Sequence, residues 1–290
     1  MQPNSIASAT RAALVAAALV CLGLCAAISA ALSPAQTKDA VKVKAKAETY
    51  YYLVFSNPVA GKEDEYNKWY DTQHAQDVVA VPGFVTAQRF VASETPLRTT
   101  TPPAKYLVIY KIVTDDLAAV TAEVSRRLET GMTVLSPTFD RASSSGTIYK
   151  TIGPIIDHKG DAPSAPKGKV ETYYQLVLSN PVAGKEDEYN RWYEQQHGPD
   201  VASVPGFVNW QRLKFASGGT RQGRAEYQYL VVYKIVTDNL PSVFDTFRQR
   251  SPKMATSPAF GENVGYTYKT WGPLIEGDQV RADRVRTGNR

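Results

Sequence analysis

The sequence predicts an α+β fold made of two βαββαβ units packed sheet to sheet, and three observations carry that expectation. A long internal repeat divides the chain, each copy has the same order of strand and helix signals, and its strands are apolar on both faces.

The repeat comes first because it sets the architecture. The run from Glu48 to Asp71 returns from Glu171 to Glu194, changed only at Tyr52/Gln175, Phe55/Leu178, Lys68/Arg191 and Asp71/Glu194. The same offset holds for Pro82-Gly83-Phe84 and Pro205-Gly206-Phe207, and for Tyr106–Asp115 and Tyr229–Asp238. The match closes on Tyr149–Pro154 and Tyr268–Pro273. Residues 48–156 and 170–275 are therefore expected as two equivalent units. Between them, the Pro, Gly and Lys of 157–169 read as a linker.

Within a copy, Thr49 to Ser56 is rich in aromatic and β-branched residues and reads as a strand. Asn57-Pro58-Val59-Ala60-Gly61 is turn chemistry. Lys62 to about Val79 reads as a helix, with Glu63, Asp64 and Glu65 in the first turn, where the helix dipole favours acids. Pro82-Gly83 ends it. Phe84–Ala92 and Tyr106–Val113 read as strands, 116–130 as a second helix and 146–152 as a last strand. The order is the ferredoxin-like one. Its helices cover one sheet face only, yet Tyr50–Phe55 and Tyr106–Tyr110 are apolar or aromatic on both. Burial on both sides is implied, and the simplest cover is the sheet of the other copy.

The ends carry different signals. Residues 12–32 are almost uninterruptedly apolar or small, and residues 1–35 read as a signal peptide, with an uncleaved anchor as the alternative. Export to the periplasm or beyond is expected, and membrane attachment only if that leader stays. Both cysteines, Cys21 and Cys25, lie inside it, which excludes disulfides and thiolate chemistry from the folded part. The net charge of +5 is mild and concentrated in Lys38–Lys46 and an arginine-bearing tail. No nucleic-acid partner is expected, and 276–290 reads as a basic, disordered tail.

One helix face carries the candidate chemistry. Tyr66, Trp69, Tyr70, Gln73, His74 and Asp77 fall at helical spacing, and Tyr189, Trp192, Tyr193, Gln196, His197 and Asp200 repeat the set. Tyr70 and His74, four apart, can interact, as can Tyr193 and His197. Such a pair could act as acid and base on an enolisable or phenolic molecule, with Asp77 or Asp200 orienting the imidazole. Trp69, Trp192, Tyr66, Tyr189 and the strand residues Tyr110 and Tyr233 are candidates to hold the molecule. An alternative stands beside this: aromatics at this spacing pack cores, and an imidazole near a helix end often only bonds carbonyls. Pro199, where the first copy has Gln76, should disturb the helix beside His197, so the two histidines are expected to sit differently. No phosphate-binding glycine loop, nucleophile elbow or paired-histidine metal motif occurs.

With these elements in order, the chain resembles the dimeric α/β-barrel superfamily. The run Asn57-Pro58…Trp69-Tyr70-Asp71…His74…Asp77…Val81-Pro82-Gly83-Phe84, matched by Asn180-Pro181…Trp192-Tyr193…His197…Asp200…Pro205-Gly206-Phe207, is similar to its EthD-like branch. The resemblance covers both repeats and implies a pseudo-dimeric barrel closed within one chain, possible further homodimerisation aside. It also implies an enzyme on a small hydrophobic or aromatic molecule, of isomerase, cyclase, lyase or cofactor-free monooxygenase type. The alternatives are a non-catalytic hydrophobic-ligand binder or a structural envelope protein. No cofactor is expected; haem on His74 or His197 is the exception the superfamily allows.

Overall fold

The computed structural model describes residues 46–160, 165–217 and 226–288. The leader, with the export and anchoring expectations that rest on it, lies outside these residues. Among the described residues no helix is long and apolar enough to cross a membrane.

The first copy runs β1 (Glu48–Ser56), α1 (Glu63–Trp69), a π-helical turn (Tyr70–His74), α2 (Ala75–Val79), β2 (Phe84–Ala92), β3 (Tyr106–Thr114), α3 (Leu117–Glu129) and β4 (Ser145–Thr151). A two-residue strand, β5 (Ile156–Asp157), follows. The second runs β6 (Glu171–Pro181), α4 (Glu186–Trp192), a second π turn (Tyr193–His197), α5 (Gly198–Ala202), β7 (Phe207–Ser217), β8 (Tyr229–Thr237), α6 (Leu240–Arg250) and β9 (Phe260–Glu276). A last helix, α7 (Gly277–Thr287), closes the chain.

The strands form one sheet in the order β4-β1-β3-β2-β9-β6-β8-β7-β5, and β4 also pairs with β7. That last pairing joins the two ends, so eight strands close into a barrel. Two antiparallel seams hold the halves together. The end of β9 lies along β2, with Phe90 opposite Thr270, and β4 lies along β7, with Lys150 opposite Lys214. Closure removes the free edges that each half alone would expose.

Both-face burial follows from the pleat. On β1 and β3, Tyr52, Tyr106, Val108 and Tyr110 face the helices, while Leu53, Phe55, Leu107 and Ile109 face the barrel interior. The shared tyrosines Tyr149 and Tyr268 line that interior, and their hydroxyls donate across the seams to the carbonyls of Tyr227 and Ala104 at 3.1 and 2.7 Å. Asp116 caps α3 by accepting from the Ala119 amide at 2.9 Å. Gly83 and Gly206 end the first helices at φ +96° and +98°. A β-carbon on either would press into Val120 or Val243, so both the backbone angle and the packing require glycine there.

The C-terminal tail departs from expectation. Residues 277–287 are helical rather than disordered, because their arginines have partners on the first copy. Arg281 donates to the carbonyls of Val79 and Phe84, the first of which is a free carbonyl at the end of α2. Arg284 reaches Asp77 at 2.5 Å. The linker is similarly tethered: β5 pairs with β7, and the amides of Lys167 and Gly168 donate to Asp238.

Candidate functional site

The π turns determine how the candidate side chains meet. The amide of Ala75 bonds the carbonyl of Tyr70, five residues back, and Gly198 does the same to Tyr193. Residues five apart then come into register. Trp69 stacks on His74 with ring centroids 4.4 Å apart, and Tyr70 meets the same imidazole edge-on at 4.9 Å. The helical periodicity anticipated the Tyr70 contact but not the Trp69 stack, which an unbroken α-helix would not make.

Pro199 does not displace its histidine. Trp192 stacks on His197 at 4.4 Å and Tyr193 approaches at 5.1 Å, the geometry of the first copy. Pro199 falls in the first turn of α5, directly after the π turn, where its fixed φ fits and a missing N–H is least felt.

In the first copy a cavity of about 260 Å³ lies between the sheet and the helices, and His74, Tyr70, Tyr110, Tyr52, Val78 and Phe139 are among its walls. The hydroxyls of Tyr70 and Tyr110 interact with each other there, and the Nδ1 of His74 is buried without a hydrogen-bond partner; Tyr193, Tyr233 and His197 repeat this in the second copy. Buried polar atoms of this kind are rare in native proteins and call for a ligand, a water or a functional reason. With Nδ1 sealed, Nε2 is the nitrogen left to meet a bound molecule. Burial pushes the imidazole down to about 3, with Arg89 adding to the effect, so the ring is neutral rather than poised near pH 7. Burial holds the Tyr70 hydroxyl well above its ordinary range, and Tyr110 is raised for the same reason.

The other candidates have different places. Tyr66 and Tyr189 are fully buried, and their hydroxyls bond Ser56 and Ser179 at 2.7 and 2.8 Å, so they pack beneath the site rather than line it. Trp69 and Trp192 stand behind the imidazoles, donating to the carbonyls of Val134 and Ala255. Asp77 is engaged by Arg284, and Asp200 accepts from the Ala255 amide; neither bonds an imidazole. The orienting role therefore falls to the stacked tryptophan.

The second copy brings His197, Tyr193 and Tyr233 together but fills the space around them. Trp210 stands where the first copy has Ala87, each opposite its strand tyrosine, Tyr233 or Tyr110. Phe247 replaces Val124 on the following helix. From the β2–β3 loop of the first copy, Leu97 packs into this core, while Arg98 lies against Gly265 and bonds Asn263. Arg98 is near enough to help depress His197, which burial chiefly pushes down to about 4. Trp210 and Phe247 thus occupy space in the second copy that the smaller Ala87 and Val124 leave in the first.

Arg89 and Arg212 were missed by sequence reasoning. Arg89 is almost wholly buried on β2, its guanidinium 4.6 Å from the Tyr70 ring and within reach of the Tyr66 and Tyr106 rings. It bonds Asp71 and, at 2.8 Å, Asn67. Arg212 repeats this with Glu194 and Asn190. Their persistence in the more diverged part of the repeat was the available signal.

The low imidazole values have a consequence for stability. Unfolded histidines take up protons near pH 6.5, whereas the folded ones resist to about 3 and 4. Stability is therefore complete above pH 6.5 and is lost as pH falls through the window from about 6.5 to 3. Urea midpoints measured across that range should fall steeply for the native chain. They should fall much less for His74→Phe/His197→Phe; an identical slope in both would rule out the histidines as its source.

The topology and the helix–sheet cavity place the chain in the dimeric α/β-barrel class of fold, closed here within one chain. No protein-family model and no curated protein matches it. Among solved structures it is similar to an anthrone oxidase-like protein, at 12% identity and a TM-score of 0.44, over 79% of this chain and 93% of that one. It is also similar to chlorite dismutase from Candidatus Nitrospira defluvii, at 10% identity and 0.44, over 81% and 94%. The encapsulated DyP-type peroxidase from Mycobacterium smegmatis gives 12% and 0.44, over 83% and 96%. These likenesses concern the fold alone.

Haem, the exception expected from the sequence resemblance, does not fit the cavity beside His74. Its volume of about 260 Å³ lies below the roughly 300–1,000 Å³ typical of pockets for drug-sized ligands, and a porphyrin is larger than most of those. Among the described residues no cluster of three His, Cys, Asp or Glu could hold a metal ion.

Proposed function

We propose that the first copy binds a small hydrophobic or aromatic molecule between its helices and sheet and acts on it with His74 and Tyr70. The observation that carries this reading is the convergence of Tyr70, Tyr110 and the unpartnered imidazole of His74 on one cavity of about 260 Å³ with mostly apolar walls. In this scheme the neutral imidazole accepts a proton through Nε2 from an acidic C–H or O–H of the substrate. A protonated tyrosine hydroxyl, Tyr70 or Tyr110, donates to the oxygen on which charge develops. Such chemistry belongs to isomerases, cyclases, lyases and cofactor-free oxygenases, the range expected of an EthD-like fused barrel. The apolar run of residues 12–32 supports an exported location.

A second reading is a non-catalytic binder of the same class of molecule. It is favoured by the depressed imidazole, since a general base works best with a pKa near the ambient pH. Both readings predict that the full-length protein, purified from its native host, carries a small molecule detectable by native mass spectrometry. Tyr70→Phe/His74→Gln should lose it, whereas Tyr193→Phe/His197→Gln should not. A ligand retained by the first pair would remove the cavity from consideration. Incubation of the identified molecule with the protein then separates the readings: a changed product supports catalysis, and unaltered release supports binding.

A further inference from the structure

The barrel interior is not packed uniformly from end to end, and its layers can be read from the strand register. One layer, Phe55, Leu107 and Phe90 with Leu178, Leu230 and Leu213, is apolar and tight. The next pairs Leu53, Ile109 and Gln88 with Leu176, Val232 and Gln211. The outermost sets Tyr51, Lys111 and Thr86 against Tyr174, Lys234 and Asn209. In these outer two layers a second cavity opens, of about 270 Å³, separate from the helix–sheet cavity and contributed by both halves.

Its chemistry is polarised. The floor is Leu53, Phe90, Ile109 and Val232, and the rim carries Ile155 and Leu274, two large apolar side chains that are half exposed. Lys111 and Lys234 stand on β3 and β8, which are diametrically opposite in the ring of eight. Neither has an ion-pair or hydrogen-bond partner among the described residues, and no carboxylate lines the cavity. An anion entering this apolar well would meet two ammonium groups that have no ion-pair partner of their own among the described residues. Tyr51 and Tyr174, close enough to affect each other, add two hydroxyls at the same level. Gln88 and Gln211 are tied by their amide nitrogens to the carbonyls of Gly272 and Gly153, which steadies the rim.

We infer that this mouth of the barrel is a second binding site, for a small carboxylate with an apolar body. The body enters the well, and the carboxylate sits between the ammonium groups of Lys111 and Lys234 with tyrosine hydroxyls beside it. An eight-stranded barrel is wide enough for one such ligand and no more. The site lies on the pseudo-twofold axis, so it exists only because the two halves close on each other.

Titration calorimetry of the full-length chain with 1-naphthoate, and with the neutral 1-naphthylmethanol, tests this. The acid is expected to bind at least tenfold more tightly than the alcohol. Lys111→Gln and Lys234→Gln should each weaken it roughly tenfold, a usual loss for one charge-assisted contact. Tyr70→Phe/His74→Gln should leave its affinity unchanged. No binding of the acid, or equal binding of acid and alcohol, would overturn the site, and that comparison needs no variant. Loss of binding in Tyr70→Phe/His74→Gln with no change in the lysine variants would overturn it as well, by placing the probe in the helix–sheet cavity.

Discussion

Trp210→Ala is expected to destabilise the protein by about 3–5 kcal/mol, the usual loss for truncating a fully buried tryptophan. Its neighbour makes the prediction sharper. A β-carbon on Gly198 would lie 2.3 Å from the Trp210 ring. Gly198→Ala alone should therefore cost about 1–3 kcal/mol through overpacking, although alanine in a helix is otherwise favoured over glycine by about 1 kcal/mol. In the Trp210→Ala background the clash is gone, and Gly198→Ala should become neutral or mildly stabilising. The double variant restores the Ala75/Ala87 pair of the first copy. Urea denaturation of the four proteins gives the coupling directly. Additive effects would mean that Trp210 is not what closes the second site.

Asp71→Ala is expected to cost about 2–3 kcal/mol, because it strands the guanidinium of Arg89 in a buried position. The side chain of Arg89 is 3% exposed and that of Asp71 44%, which places the pair toward the low end of what breaking a buried ion pair costs. Arg89→Met removes the buried charge and leaves a carboxylate that water can reach, so it should stay within about 1 kcal/mol of the native chain. Equilibrium denaturation that ranked the two the other way would show that Arg89 stabilises mainly through its aromatic and Asn67 contacts. Arg89 also sits against Tyr70, so Asp71→Ala should loosen the floor of the candidate site while Arg89→Met keeps it filled.

The order of elements was legible because each depends on local chemistry. Asp116 before Leu117 marks a helix start and Tyr50–Phe55 a strand with two buried faces, whereas the turn read at Asn57-Pro58 falls at Ala60-Gly61, Pro58 instead bridging to Phe139. Even Asn57 and Asn180, read as turn formers, do bond backbone, but across the fold, to the amides of Lys105 and Gln228 at 2.8 Å. The Tyr70–His74 contact followed from spacing. The Trp69–His74 stack did not, because a π turn is one backbone hydrogen bond shifted by one residue and leaves no mark on hydrophobic periodicity.

Sequence by itself determined that the chain holds two equivalent α/β units, that their sheets need covering on both faces, and that one helix face gathers Tyr, Trp and His in each. These are consequences of pattern and propensity, which act over a few residues. Only the tertiary structure decided that a cavity opens beside His74, that the tail arginines dock as a helix on α2, that Arg89 and Arg212 are buried, and that Lys111 and Lys234 line one well. Each of those depends on what arrives from a distant part of the chain: Trp210 and Leu97 into one core, Arg284 to Asp77, β8 opposite β3. Two nearly identical stretches of sequence therefore have the same backbone and different interiors, because volume is filled by neighbours in space rather than in sequence.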